Sequence, residues 1–221
     1  MISRSGVLQR LLGLYEQPRY LEIGVNRGVT FHAVTAHRKV AVDPKFVFAV
    51  PAGQSEGVSY HEVTSDEYFG RIVAAEERFD LIYLDGLHTF EQTLRDLINA
   101  LAHLAPGGVV LIDDIIPNSF QASLPSPAAA RAVRDFLGQT DPSWMGDVFK
   151  LVFFVQSFFQ KLSYATIRDN HGQLVLWQAS REKVVARDIG EFARLSFADV
   201  VLQKDAFQIR PLDEILAEIR P

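Results

Sequence analysis

The chain of 221 residues contains no cysteine, which excludes disulfide bonds, thiolate nucleophiles and cysteine-ligated metal sites. No hydrophobic run approaches the ~18 apolar residues that a membrane-spanning helix needs. Positive charge is also in short supply, since 22 basic residues face 27 acidic ones and the net charge is −5. Such a chain lacks the positive field that non-specific nucleic-acid binding requires, so we expect neither a nucleic-acid nor a membrane partner.

The N-terminal segment is too polar and too periodic for a signal peptide, and residues 1–17 are predicted to form an amphipathic helix. This predicts a soluble, cytoplasmic protein. The length suits one α/β domain with extensions. We place that domain at residues 1–180 and a C-terminal helical extension at 181–221.

Residues 79–117 have the pattern of a βαβ unit. Two apolar runs, 81–84 and 109–112, are separated by a helical pattern of apolar residues. The sequence Pro-Gly-Gly at 106–108 is predicted to end that helix, because proline cannot continue a helix and glycine tolerates the turn. Acidic residues follow both runs directly: Asp85 after the first, and Asp113 and Asp114 after the second.

These acidic residues are predicted to meet. If the two strands are neighbours, their ends lie about 5 Å apart. Asp85, Asp113 and Asp114 then converge at the carboxyl edge of the sheet, where open α/β folds bind ligands. Three carboxylates so close repel each other unless a cation or a proton intervenes.

A second motif lies near the N-terminus and reads Glu22-x-Gly24-x-Asn26-x-Gly28. Its glycines let the backbone approach a ligand closely. Asp43 follows at the end of the next predicted strand, where it is placed to accept hydrogen bonds from ribose hydroxyls. Neither a nicotinamide fingerprint nor a phosphate-binding loop is present, which favours a nucleoside without a pyrophosphate. The alternative is an ordinary βα turn.

Three further segments carry predictions. Ser65 is a candidate for contact with the base of the nucleoside, although Ser65 or Asp66 could equally cap the next helix. Residues 115–147 leave from the carboxylate edge and are predicted to form a lid or substrate wall. The helix at 148–159 is apolar nearly all round, which implies a subunit interface or cover from the C-terminal tail. We therefore expect a homo-oligomer, at least a dimer.

The motifs together resemble those of class I S-adenosylmethionine-dependent methyltransferases. The resemblance covers about residues 18–178. The segments Leu84-Asp85-Gly86-Leu87-His88-Thr89-Phe90, Ile112-Asp113-Asp114 and Gly146-Asp147-Val148-Phe149-Lys150 are similar to the macrocin O-methyltransferase and cephalosporin-hydroxylase-like branch. The resemblance implies a Rossmann-like, doubly wound sheet of seven strands, mostly parallel with an antiparallel C-terminal hairpin, and helical extensions at both ends.

The resemblance also implies roles for individual residues. S-adenosylmethionine would be bound by residues of the first motif and of later strand ends: Glu22, Gly24, Asn26, Gly28, Asp43, Ser65 and Asp85. A divalent cation, Mg²⁺ above all, would be bound by Asp85, Asp113 and Asp114, although glutamate is common at the position of Asp113. His88 matches the general base, and the acceptor would be a hydroxyl group of a small molecule such as a sugar or natural product.

Other interpretations of the same residues remain open. His88 could only cap its helix or bind a carboxylate, Asp114 could be solvated, and Asp85 could line the methionine end of the cofactor without metal. The other five histidines lack ligand spacing and are expected at the surface: His32, His37, His61, His103 and His171. Two further functions compete with metal-assisted O-methylation: metal-independent methyl transfer, and non-catalytic cofactor binding in an assembly protein.

Overall fold

The computed structural model describes residues 1–51 and 56–219, and its eight strands form one sheet in the order β3-β2-β1-β4-β5-β7-β6-β8. The strands are β1 Arg19–Ile23, β2 Arg38–Val42, β3 Val58–His61, β4 Phe79–Leu84, β5 Leu104–Ile112, β6 Leu162–Ile167, β7 Leu174–Gln178 and β8 Ile209–Arg210. β7 runs antiparallel to both of its neighbours, and the other pairs are parallel. The predicted Rossmann-like sheet with an antiparallel hairpin is confirmed.

The count of seven strands was one too low, because the C-terminal extension adds β8. This two-residue strand pairs with the end of β6, through Thr166 and Ile167. Its two residues carry no periodicity that a sequence pattern could detect. The extension is therefore not purely helical.

Helices cover both faces of the sheet. They are α1 Arg4–Leu12, α2 Val29–Ala33, α3 Ser65–Glu67, α4 Phe90–Ala102, α5 Pro127–Phe136, α6 Lys150–Phe158, α7 Ile189–Arg194, α8 Phe197–Leu202 and α9 Leu212–Ile219. Residues of α4, α6, α7 and α8 belong to the core on one face, and residues of α1, α2 and α9 to the core on the other. No helix among the residues described is long and apolar enough to cross a membrane.

Helix α1 is shorter than the predicted 1–17 and begins at a side-chain cap. Ser3 Oγ accepts a hydrogen bond from the backbone N–H of Gly6 at 3.0 Å, which satisfies one of the free N–H groups of the first turn. Leu8 and Leu11 are fully buried against the sheet. Because this face docks there, Arg4 in the first turn is brought to the carboxyl edge of the strands.

The Pro-Gly-Gly segment at 106–108 does not end the preceding helix, contrary to the prediction. Helix α4 already ends at Ala102, and β5 begins at Leu104. The register between β4 and β5 shifts next to this segment, and Gly107 has φ +73°. The segment is thus a bulge inside a strand, where glycine accommodates the left-handed backbone.

The apolar helix α6 is covered by the C-terminal extension. Phe153 packs edge-on against Phe207 with ring centroids 5.7 Å apart, and Phe154 against Phe192 at 5.3 Å. The sequence predicted that either a partner subunit or the C-terminal tail covers this helix, and the tail covers the side of α6 that carries Phe153 and Phe154. The homo-oligomer stays a prediction.

Candidate functional site

The hydrogen bonding between β1, β4 and β5 continues for one residue beyond the carboxyl ends of these strands. The N–H of Asp85 donates to the carbonyl of Ile23 at 2.9 Å, and the N–H of Asp113 to that of Leu84 at 3.1 Å. This alignment places Asp85 beside Asp113 and Asp114, as expected for neighbouring parallel strands. Asp114 has φ +60°, a left-handed conformation that aspartate and asparagine adopt more readily than other residues with a side chain.

A cavity of about 610 Å³ lies along this edge of the sheet, which is a size typical of small-molecule sites. Five of the predicted cofactor residues line it: Gly24, Asn26, Asp43, Ser65 and Asp85. His88 and Arg4 line the end nearest the acidic cluster. The lining also includes Gln92 and the buried Asp96, two residues of α4 that the sequence did not single out.

Glu22 and Gly28 are not among the described residues that line the cavity. Glu22 is buried below the turn and accepts a hydrogen bond from Tyr20 Oη at 2.5 Å. Gly28 has φ +71°, and a Cβ there would lie 2.5 Å from the His32 ring. The packing of the turn therefore explains Gly28, and the cofactor roles of both residues stay predictions.

The end of the cavity beside β2 is formed by backbone and carboxylate together. One oxygen of Asp43 accepts the N–H of Asn26 and the other the N–H of Lys45, each at 2.8 Å. Since a carboxylate oxygen has two acceptor positions, both oxygens keep one for a ligand. The cap of α3 is Thr64, whose side chain accepts the N–H of Glu67, so the predicted cap at Ser65 or Asp66 was wrong. Ser65 is left to line the cavity.

His88 lies two residues before the start of α4, outside its first turn. Its Nδ1 lies 2.9 Å from Asp114 Oδ2 and 3.0 Å from the carbonyl oxygen of Trp144. Its Nε2 lies 3.7 Å from Asp85 Oδ1. Burial lowers the pKa of His88, but the hydrogen bond and charge of Asp114 and the charge of Asp85 outweigh it and raise the pKa to about 9.

Asp85, His88 and Asp114 form a compact group in which one ligand atom from each lies within 4.8 Å of the others. Burial and the charges of Asp113 and Asp114 raise the pKa of Asp85 well above its usual range. A void of about 10 Å³ lies among these side chains, close to the volume that one water molecule requires. The group therefore offers ligand atoms for a cation, and a bound cation would offset the repulsion between its carboxylates.

Asp113 has a different environment. Its Oδ1 accepts hydrogen bonds from His171 Nε2 at 2.6 Å and from the N–H of Asp114 at 2.9 Å. Its Oδ2 accepts hydrogen bonds from Tyr83 Oη and Arg4 Nε. Burial raises its pKa, but His171, Arg4 and Tyr83 outweigh this effect and hold the pKa well below the usual range. His171 was expected at the surface and is instead part of the site.

Residues 21–115 match the family model described as "Methyltransferase domain". The match covers 95 of the 221 residues of the chain. Its fold is similar to that of the O-methyltransferase TomG from Streptomyces achromogenes in complex with SAM, at 18% identity, with 81% of this chain and 82% of that chain covered and a TM-score of 0.51. The cofactor-bound Rv0187 from MTB matches at 17% identity, 82% and 83% coverage and a TM-score of 0.52. No curated protein matches the chain.

A third similar fold is that of the MycE methyltransferase from the mycinamycin biosynthetic pathway, in complex with Mg and SAH. The identity is 14% and the TM-score 0.51, with 82% of this chain and 50% of that chain covered. These likenesses are in fold alone. Residues 21–115 are the part of the chain that is similar in sequence to a methyltransferase domain.

Segment 144–147 holds the His88 loop in place. Trp144 stacks on the His88 ring with centroids 5.1 Å apart. Gly146 has φ +63°, and a Cβ there would lie 1.6 Å from the carbonyl oxygen of His88. Asp147 Oδ1 accepts the N–H of Phe90 at 2.8 Å and so caps α4. These contacts give a structural reason for the Gly-Asp pair at 146–147.

Proposed function

We propose that the protein is an S-adenosylmethionine-dependent methyltransferase that transfers a methyl group to a hydroxyl group of a small molecule, such as a sugar or another natural product, with help from a divalent cation, Mg²⁺ above all. The observation that carries the proposal is the continuity of one cavity. Asp43 and Ser65 line one end, and His88 and Asp85 line the other. A nucleoside-binding end and an acid–base end thus share the same space.

The residues present suit the cofactor. Asp43 offers two free acceptor positions to ribose hydroxyls, Asn26 lies beside it, and Ser65 offers a hydroxyl to the base. S-adenosylmethionine, when bound, supplies a sulfonium methyl group that a hydroxyl oxygen can attack. The cavity walls position the two reactants, which removes much of the entropic barrier to their meeting.

The residues also suit a cation, which Asp85 and Asp114 would hold with His88 beside them. Bound there, a divalent cation would lower the pKa of a coordinated hydroxyl and offset the carboxylate charges that keep His88 protonated. The Nδ1–H of His88 is held by Asp114 and Trp144. Nε2 is then the atom of His88 that would accept the proton of the acceptor hydroxyl.

One observation favours the second candidate function, methyl transfer without a metal. Asp113 already pairs with the guanidinium of Arg4 and accepts a hydrogen bond from His171, so part of the acidic cluster is neutralised within the chain. In that case the aspartates would only shape the pocket, and no cation would be bound beside His88.

The deciding experiment measures methyl transfer from labelled S-adenosylmethionine to a panel of hydroxylated sugars and phenols, with Mg²⁺ or with EDTA. Asp114→Asn is the informative variant, because asparagine tolerates the left-handed backbone and removes only the charge. We expect the variant to bind the cofactor within about threefold of wild type and to lose at least about 100-fold in Mg²⁺-dependent turnover.

Each result separates the candidates. Turnover that EDTA and Asp114→Asn leave unchanged would favour the metal-independent enzyme. Cofactor binding without turnover on any acceptor would favour a non-catalytic protein, and absence of cofactor binding would reject the proposal altogether.

A further inference from the structure

Arg4 reaches the acidic cluster from the N-terminal helix. Its Nε donates to Asp113 Oδ2, and its Nη2 lies 4.0 Å from Asp114 Oδ1. The side chain is 44% exposed and also lines the large cavity. A permanent positive charge therefore stands at the edge of the group Asp85, His88 and Asp114.

The contacts of Asp113 leave it no free acceptor position. A carboxylate has about four lone-pair positions, and Asp113 receives four hydrogen bonds, two on each oxygen. A cation could bind Asp113 only by displacing one of these donors. Arg4 is the most exposed of the side chains involved, since Tyr83 is fully buried and His171 is 31% exposed.

Arg4 and His171, which both donate to Asp113, lie on segments that are hydrogen-bonded to each other. The N–H of Ile2 donates to the carbonyl of Asp169 at 2.8 Å, which joins the start of α1 to the tip of the β6–β7 hairpin. The carboxylate of Asp169 accepts the N–H of Leu212 at the start of α9. Arg4 and His171 thus approach Asp113 from two segments that are hydrogen-bonded to each other.

We propose that Arg4 is a positioning residue that keeps Asp113 out of the coordination sphere of the cation, so that Asp85 and Asp114 hold the cation and the charge of Arg4 limits its affinity. The inference rests on the cation of the proposed function. It departs from the ligand set that the sequence resemblance implied, in which Asp113 is a ligand.

The test is a titration with Mn²⁺ alone, in which electron paramagnetic resonance measures free Mn²⁺. Arg4→Gln removes the charge, and Arg4→Lys keeps it. Arg10→Gln is the matched control, because Arg10 lies on the same helix and pairs with the exposed Asp213. We expect Arg4→Gln to bind Mn²⁺ at least about tenfold more tightly than wild type, and the other two variants to stay within about threefold.

Asp113→Asn completes a double-mutant cycle. In wild type it should change Mn²⁺ affinity by less than about threefold, whereas in the Arg4→Gln background it should remove most of the gain. Should Arg4→Gln fail to fold, the Asp113→Asn titration alone decides, since a tenfold loss there would make Asp113 a ligand and overturn the inference.

The failure of this inference is distinguishable from the failure of the proposed function. Mn²⁺ binding that Asp85→Asn abolishes, but that does not strengthen in Arg4→Gln, overturns the role of Arg4 and leaves the cation site standing. No Mn²⁺ binding in any variant overturns both.

Discussion

At the scale of single residues, the buried Glu22 makes the stability of the fold depend on pH. Burial raises its pKa to about 8, although the hydrogen bond from Tyr20 and the charge of Lys39 oppose the shift. A carboxyl group with a higher pKa in the folded state than in the unfolded state binds its proton more tightly when folded. Its contribution to stability is therefore complete below about pH 4.5 and is lost as the pH rises towards about 8.

Replacing Glu22 by glutamine should remove this dependence. The amide keeps an oxygen for the Tyr20 hydroxyl and carries no charge at any pH. Relative to wild type, we expect Glu22→Gln to gain on the order of 3 kcal/mol in free energy of unfolding between about pH 5 and about pH 8.5. Urea unfolding at the two pH values measures the change, and a difference between the proteins that does not vary with pH would contradict it.

Single residues also show what sequence alone could predict about the site. Asp85 and Asp113 were expected to be neighbours because each directly follows a strand, and parallel neighbouring strands end at one edge. Arg4 and His171 could not be placed in this way. They lie 109 and 58 residues from Asp113 along the chain. Their positions depend on how a helix and a hairpin tip dock, and no local spacing encodes that.

At the scale of elements, the loop before α4 depends on the segment before α6. Gly146 allows its backbone to touch the carbonyl of His88, and Asp147 caps α4. Two elements distant in sequence are thus fixed to each other by backbone contacts. The glycine and the aspartate can be read from the sequence, but their contacts with the His88 loop cannot. A close approach between two backbones leaves no pattern of side chains in the sequence.

Gly146→Ala should separate these two elements. The added Cβ has no room against the His88 carbonyl, so we expect a loss of about 2–4 kcal/mol in stability and a changed Trp144 fluorescence. Gly138→Ala is the matched control. Gly138 has the same φ of +63° but no atom within 4 Å of the added Cβ, so its cost should be about 1 kcal/mol from backbone strain alone.

Urea unfolding and tryptophan emission measure both variants. Equal stability losses in the two proteins, with the Trp144 signal unchanged in both, would show that the contact between Gly146 and His88 does not hold the loop.

At the scale of the whole molecule, the C-terminal extension belongs to the same core as the sheet. Phe192 of α7 is 2% exposed and packs against Phe154 and Phe158 of α6. It also stacks near Phe90, the first residue of α4. The boundary at residue 180 followed from a change in sequence pattern, and the packing crosses it.

Phe192→Ala should therefore destabilise the whole chain rather than release a separate tail. We expect a loss of about 3–5 kcal/mol in one cooperative unfolding transition, because a large buried ring leaves a cavity. Phe136→Ala serves as the control, since Phe136 is 88% exposed and its removal should change stability by less than about 0.5 kcal/mol. Urea unfolding followed by circular dichroism measures both. If Phe192→Ala instead gave two transitions, with the first confined to a small helical signal, the extension would be a unit of its own, and the cover it provides for α6 would not contribute to the stability of the site.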